Sequence, residues 1–149
     1  MAAQNAASDY AGDVDVREAW ALLKADPTAQ LVDCRTAAEW TFVGLPDLSS
    51  LGRGALCVEW QSFPAMAIDP DFAKRTAEEL RGAGAGNDAP VLFLCRSGAR
   101  SRAAAIAMTR AGFTRAYNIA GGFEGDMDQD GHRGRRTGWK ASDLPWRQS

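Results

Sequence analysis

The chain has 149 residues, of which 46% are hydrophobic, and it carries 17 Lys and Arg residues against 19 Asp and Glu residues. This length and composition predict one globular domain whose core needs no disulfide or structural metal. The net charge of −2 disfavours nucleic acid or an anionic membrane as the main partner. There is no apolar run of about 18 residues and no secretory signal pattern at the start. We therefore expect a cytoplasmic protein.

Composition also suggests limits for the folded body. Residues 1–12 are small and polar and lack hydrophobic periodicity, which predicts a mobile leader. Apolar and polar segments alternate over residues 13–125, which we expect to form the folded domain, or body, of the protein. Residues 126–149 contain five Lys and Arg residues and two tryptophans, and we expect this extension to dock on the body. Its positive charge is expected to draw an anionic substrate toward the site.

Predicted helices and strands alternate along the body. The residue types typical of helix N-termini occur at residues 15–18, 36–39, 69–70 and at Ser101. Short apolar segments typical of buried strands occur at residues 31–34, 55–58, 91–94 and 116–119. This alternation predicts an α/β fold, with a central parallel sheet flanked by helices on both faces.

The loop after the most apolar strand combines a cysteine with anion-binding groups. Ligands bind beyond the carboxyl ends of strands in an open α/β sheet, and this strand leads directly to Cys95. Backbone N–H groups at a helix start, together with nearby cations, favour the thiolate form of a cysteine and bind oxyanions. The loop side chains expected to bind substrate or to permit the turn are those of Arg96, Ser97, Gly98, Arg100 and Ser101.

Three segments of the chain resemble the rhodanese-like sulfurtransferases and occur in that family's order. They are residues 31–35 with Glu39 four residues on, the loop 95–101, and the turn 121–123. The resemblance implies a rhodanese-like fold and a cysteine, here Cys95, that carries sulfur as a persulfide. It also implies that the loop amides stabilise the outer sulfur, a role that falls here on residues 96 to 100, Ala99 included.

Three residues outside the loop are expected to support the site. They are Asp33, Arg35 and Glu39. We expect Asp33 and Arg35 to hold loops at the strand ends rather than to take part in the chemistry.

Loop length separates two chemistries that resemble each other. From Cys95 to Arg100 the pattern is Cys-x4-Arg, which is similar to sulfurtransferases, whereas phosphatase-like and arsenate-reductase relatives have Cys-x5-Arg. The implied activity is that of a thiosulfate sulfurtransferase acting by double displacement. The Cys95 thiolate takes sulfane sulfur from thiosulfate or a similar donor, sulfite leaves, and a thiol or cyanide accepts the sulfur. No cofactor is expected.

Other functions remain open at this point. A sulfur-relay or interaction module, loaded by a partner protein, would share every motif, and a thiol phosphatase or arsenate reductase is disfavoured only by the loop count. The family's Gly-His-Ile-Pro-Gly-Ala stretch is replaced by residues 43–48, which lack the histidine and leave donor and acceptor unspecified. The expected partners are a small-molecule sulfur donor, a thiol acceptor and a sulfur-acceptor protein, without nucleic acid or membrane.

The remaining candidate residues are assigned structural roles. Cys34 and Cys57 lie in apolar strand segments and are expected to pack in the core, with a resolving-thiol role as the alternative. Residues 126–131 match the start of a calcium loop, but its twelfth position is Thr137 instead of glutamate and nearby arginines repel a cation. His132 has no metal-ligand spacing, and no metal is expected.

Overall fold

The computed structural model describes residues 9–62 and 65–148. The strands are β1 (Gly12–Val14), β2 (Gln30–Asp33), β3 (Leu45–Pro46), β4 (Leu56–Cys57), β5 (Gln61–Ser62), β6 (Ala67–Ile68), β7 (Val91–Leu94), β8 (Ala116–Ile119) and β9 (Trp146–Arg147). The helices are α1 (Val16–Ala25), α2 (Ala37–Phe42), α3 (Phe72–Gly82), α4 (Ala99–Arg110) and α5 (Gly138–Ala141), with a 3-10 turn at Ser49–Leu51.

A parallel five-stranded sheet forms the centre of the molecule, in the order β1, β8, β7, β2, β4. All four residues of both β2 and β7 are buried, because helices cover both faces of these inner strands. Asp33 of β2 lies beside Leu94 of β7 in the parallel register. Cys34 and Cys95 therefore follow neighbouring strands at the same edge of the sheet.

Two hydrophobic clusters lie on opposite faces of this sheet. Alternate strand residues such as Val32 and Phe93 pack with α3 and α4, whereas Leu31 and Leu92 pack with α1 and the C-terminal residues. The predicted α/β fold with helices on both faces of a parallel sheet is thus confirmed. Within the described residues, none of the helices is both long and apolar enough to cross a bilayer.

Two predicted helix starts are confirmed, and two are displaced along the chain. The capping boxes of α1 and α2 both form, the latter between Thr36 and Glu39. The expected cap at Asp69 is wrong, because Asp71 precedes the first residue of α3. Ser101 is not a helix cap either, because α4 begins two residues earlier, after Gly98.

The chain ends pack onto the sheet and its helices. Of the expected leader, residues 1–8 lie outside the described residues, whereas Tyr10 is buried in the cluster with α3 and α4 and β1 begins at Gly12. Near the other end, Trp139 is fully buried in the opposite cluster. β9 pairs with β3 so closely that a Cβ on Gly44 would lie 2.7 Å from the Arg147 carbonyl oxygen.

Candidate active site

The sulfur of Cys95 lies where backbone N–H groups converge, between β7 and α4. Its Sγ accepts hydrogen bonds from the N–H groups of Gly98 (3.1 Å) and Ser101 (3.3 Å), and the residue is 1% exposed. Gly98 has a φ of +119°, a conformation that favours glycine and turns the loop into the helix. Two N–H dipoles at a helix start therefore stabilise negative charge on this sulfur.

A second turn holds this loop from behind. The N–H of Phe123 donates to the Cys95 carbonyl oxygen (2.8 Å), and the N–H of Glu124 donates to that of Arg96 (3.0 Å). Gly122 has a φ of +64°, and a Cβ there would lie 2.5 Å from the Arg96 carbonyl oxygen. Gly122, in the turn 121–123 identified from the sequence, thus allows this turn to approach the loop backbone and to bond both carbonyl groups.

Two loop arginines line a cleft of about 420 Å³ beside the cysteine loop. Its walls are formed by Glu39, Val43, Gln61, Met66, Arg96, Arg100 and Glu124. Arg96 is exposed, whereas Arg100 is half-buried. The cleft therefore offers one guanidinium to solvent and one that is held by the protein.

Glu39 holds Arg100 in a bidentate ion pair. Nη1 and Nη2 of Arg100 donate to Oε1 and Oε2 of Glu39 at 2.8 and 3.0 Å. Burial by itself raises the pKa of the Glu39 carboxyl, but hydrogen bonds from Arg100 and Thr36 and the guanidinium charge outweigh it and leave this pKa below its usual range. Glu39 thus anchors one end of the cysteine loop to α2.

Asp33 and Arg35 form a buried ion pair at the end of β2. Nη2 of Arg35 lies 2.7 Å from Oδ2 of Asp33 and also donates to the Gly44 carbonyl oxygen at 2.7 Å. The guanidinium carbon lies 4.4 Å from the centroid of the Phe123 ring. Arg35 thus connects the strand end to the segment before β3 and to the glycine turn.

Ser101 belongs to a chain of side-chain hydrogen bonds that the sequence analysis missed. Its Oγ lies 3.2 Å from the Cys95 Sγ and 2.6 Å from Oδ1 of Asn118. Asn118 Nδ2 donates to Oδ1 of Asp13 (3.0 Å), to which Tyr10 also donates (2.8 Å). The available signal was an asparagine in the apolar run of β8, where a buried amide requires partners.

The remaining loop residues take different positions. Ser97 is half-buried and Ala99 is exposed, and among the described residues the N–H groups hydrogen-bonded to the Cys95 sulfur are those of Gly98 and Ser101. Lys140 of the C-terminal extension donates to the carbonyl oxygen of Val43. Val43 lines the cleft, and one basic residue of the extension therefore borders it.

The other two cysteines differ from each other. Cys34 is buried, as predicted, and its Sγ donates to the Leu94 carbonyl oxygen at 3.3 Å. Burial, together with the Cys95 and Asp33 charges, raises the pKa of Cys34 well above its usual range. Core packing of Cys57 is a wrong prediction, because β4 is a two-residue edge strand and leaves this side chain exposed.

Asp128, Asp130 and His132 approach one another in the extension. Their ligand-type atoms lie within 4.8 Å of one another. The match to the start of a calcium loop grouped the two aspartates, but the sequence spacing did not suggest His132. Oδ1 of Asp128 accepts hydrogen bonds from the backbone N–H groups of Asp130 and His132, both at 2.9 Å. These bonds shape an exposed loop, as is common for aspartate in turns, and we assign no metal to it.

A family model and curated proteins match most of this chain in sequence. The model of the STR4 middle domain matches residues 11–149. An uncharacterized protein of Rickettsia rickettsii is 37% identical over 132 residues, which cover 87% of this chain and 91% of that protein. Rhodanese-like domain-containing protein 4 of the Arabidopsis thaliana chloroplast is 27% identical over 135 residues, or 91% of this chain and 25% of that protein.

Two solved structures are similar in fold. The crystal structure of Rv0390 from M. tuberculosis has a TM-score of 0.82 and 51% identity, covering 94% of this chain and 99% of that one. The solution structure of a polysulfide-sulfur transferase homodimer from Wolinella succinogenes has a TM-score of 0.59 and 23% identity, covering 98% and 84%. The second similarity, at this low identity, is one of fold alone. With a family model that matches nearly its whole length, the chain belongs to the STR4 middle domain family.

Proposed function

We propose that the protein is a sulfurtransferase that moves sulfane sulfur from thiosulfate or a similar donor to a thiol or cyanide. The observation that carries this proposal is that the Cys95 Sγ accepts hydrogen bonds from two backbone N–H groups at the start of α4. Such donors stabilise a thiolate nucleophile and the negative charge of a persulfide. Similarity to a rhodanese-like protein and the six-residue loop also support sulfur transfer.

The proposed reaction is a double displacement at Cys95. Its thiolate forms a bond to the outer sulfur of thiosulfate, while the sulfur–sulfur bond of thiosulfate breaks and its electron pair leaves with sulfite. An acceptor thiolate or cyanide then bonds the outer sulfur of the persulfide, and the Cys95 thiolate leaves. No proton moves at the bonds that form, which suits a site without a histidine among its lining residues.

The two arginines take separate parts in this proposal. The exposed guanidinium of Arg96 is available to the oxygens of the donor. Arg100 is engaged by Glu39 through two hydrogen bonds and acts mainly by holding the loop. This division refines the expectation that both arginines bind the donor directly.

A second candidate is a sulfur-relay module that a partner protein loads. The lining residues of the cleft set Glu39 and Glu124 against Arg96 and Arg100 and carry no net charge, so that attraction of a free dianion falls to Lys140 at the border. Phe42 is 77% exposed at the end of α2, beside the cleft residue Val43. Weak attraction for thiosulfate and an apolar side chain nearby favour a protein as the sulfur donor.

Mass spectrometry after sulfur loading tests both candidates. We expect wild-type protein incubated with thiosulfate to gain one sulfur atom on the Cys95 peptide and to form thiocyanate with cyanide. Cys95→Ser should abolish both results, whereas Cys57→Ser, at an exposed cysteine outside the site, should retain them.

The loading assay and two activity assays distinguish the alternatives. Loading only from a persulfidated protein would select the relay, and absence of sulfur from either donor would reject both. Hydrolysis of a phosphate ester or reduction of arsenate that requires Cys95 would identify the protein as a thiol phosphatase or an arsenate reductase.

A further inference from the structure

We propose that Asn118 is a positioning residue that holds the Ser101 hydroxyl away from the charge on Cys95. Asn118 does not touch the sulfur, and it acts through Ser101, whose Oγ lies between them. The inference rests on the proposed function in one respect, namely that Cys95 is the nucleophile. It assigns to β8 and β1 a part in setting the reactivity of the loop.

The direction of the hydrogen bonds follows from the chemistry of Asp13. A carboxylate only accepts hydrogen bonds, and the Asn118 group that faces Asp13 at 3.0 Å is therefore the amide NH₂. Burial and the hydrogen bond to Asp13 raise the pKa of Tyr10, which keeps its phenol proton and donates it to the same carboxylate oxygen. The carbonyl oxygen of Asn118 must then face Ser101.

Ser101 has one hydroxyl proton and two candidate acceptors. The distance of 2.6 Å to Oδ1 of Asn118 is that of a strong O–H···O bond, whereas Oγ and the Cys95 Sγ are 3.2 Å apart. With its proton directed at Asn118, the hydroxyl presents lone pairs to the sulfur. The Ser101 hydroxyl can thus accept a hydrogen bond from a Cys95 thiol, but it donates none to a Cys95 thiolate.

This arrangement distinguishes two locations of negative charge. For the hydroxyl to stabilise a Cys95 thiolate, it must turn away from Asn118, which is 4% exposed and would keep an unpaired carbonyl oxygen. In a persulfide the charge lies on the outer sulfur, which is bonded to the Cys95 Sγ about 2 Å away. The network therefore disfavours the free thiolate but not the loaded form, and it favours retention of sulfur.

Other ionisable groups surround the same sulfur and remain in place when Asn118 is changed. Arg100 of α4 and Cys34 at the end of β2 both interact with the charge of Cys95. Arg96 and Glu124 line the adjoining cleft. These groups act equally in wild type and variant, and a difference between the two reports the Ser101 hydroxyl.

The test is the pH profile of Cys95 alkylation by iodoacetamide, read on the Cys95 peptide by mass spectrometry. In Asn118→Ala the hydroxyl is free to donate to the thiolate, and we expect the midpoint to fall by about one pH unit. Because a less basic thiolate is a weaker nucleophile, the high-pH plateau should fall about threefold. A loosened loop would instead raise the plateau.

Removing the hydroxyl tests whether the effect passes through Ser101. In Ser101→Ala the additional change Asn118→Ala should leave the midpoint unmoved, since no hydroxyl remains to be redirected. Asp13→Ala is a second route, because without this carboxylate the Asn118 amide is free to turn its NH₂ toward Ser101 and the midpoint should again fall. Asp126→Ala, which removes an exposed carboxylate elsewhere, should leave the midpoint unchanged.

The proposal is overturned if Asn118→Ala and Asp13→Ala leave the midpoint unchanged, or if the shift persists in Ser101→Ala. Sulfur loading of the wild-type protein is measured in parallel and reports the proposed function separately. A protein that loads no sulfur but shows the Ser101-dependent shift rejects only the transfer activity. A protein that loads sulfur without the shift rejects only the role of Asn118.

Discussion

Neighbouring strands β2 and β7 are each followed by a Cys-Arg pair, and the two pairs have opposite surroundings. The Cys34 thiol donates a hydrogen bond to the Leu94 carbonyl oxygen, whereas the Cys95 sulfur accepts hydrogen bonds from the N–H groups of Gly98 and Ser101. A carbonyl partner requires the thiol to keep its proton, whereas amide donors can also bond a sulfur that has lost it. The direction of the hydrogen bond, rather than the depth of burial, separates the two cysteines.

The arginines that follow these cysteines differ for a related reason. Asp33 precedes Cys34 and pairs with Arg35, which is completely buried, while apolar Leu94 occupies the matching position beside Arg96. Without an acidic residue at the end of β7, Arg96 remains exposed at the cleft. One strand end is thus closed by an internal ion pair, and at the other end the guanidinium stays exposed.

The largest effect is expected from breaking the closed end. Asp33→Asn leaves the Arg35 guanidinium buried without its counter-charge, which should lower the free energy of unfolding by about 3–5 kcal/mol. Urea denaturation measures this change. The matched control is Asp69→Asn, whose partner Arg75 is 56% exposed, and we expect a loss of at most about 1 kcal/mol. Equal losses in the two variants would contradict the comparison.

A smaller effect is expected in the reactivity of the two thiols. Cys34 has a raised pKa and donates its thiol proton to the Leu94 carbonyl oxygen, and its alkylation requires loss of that proton. In the native protein at pH 8 we expect Cys34 to react at least about 100-fold more slowly than Cys95, since only the thiolate reacts. Peptide mass spectrometry after timed alkylation gives both rates, and the difference should disappear in denaturant. Similar native rates would show that the carbonyl partner does not hold the Cys34 proton.

The smallest effect concerns the ion pair that holds the reactive loop. Glu39→Gln keeps the oxygen that the capping box of α2 needs but removes the charge facing Arg100. We expect a loss of about 1 kcal/mol in the free energy of unfolding at pH 7.

The pH dependence of this difference has a defined sign. The folded-state pKa of Glu39 lies below the ordinary 4.5, and the contribution of its charge is therefore complete above pH 4.5 and is lost as the pH falls through the folded value. Urea denaturation at pH 7 and pH 3 should show the difference between wild type and Glu39→Gln shrinking at the lower pH. A difference that is constant with pH would remove the charge from this role.

Most of the features that could be predicted from the sequence depend on residues that are close together in the chain. Both capping boxes form where the spacing predicted them, because a cap joins residues three positions apart. The apolar runs of β2 and β7 became inner strands, because only a sheet covered on both faces buries every side chain. The loop from Cys95 was likewise visible, because its cysteine, glycine and arginines are contiguous.

The tertiary structure decided the partners of these residues. Glu39 and Arg100 are 61 positions apart, and Asp13 and Asn118 are 105 apart, yet parallel strands and their connections bring each pair into contact. Cys57 lies in an apolar segment, as core residues do, but its place on an edge strand exposes it. Residue types and spacing determined which groups were available, whereas strand order determined which of them meet, because hydrogen bonds and ion pairs depend on distance in space.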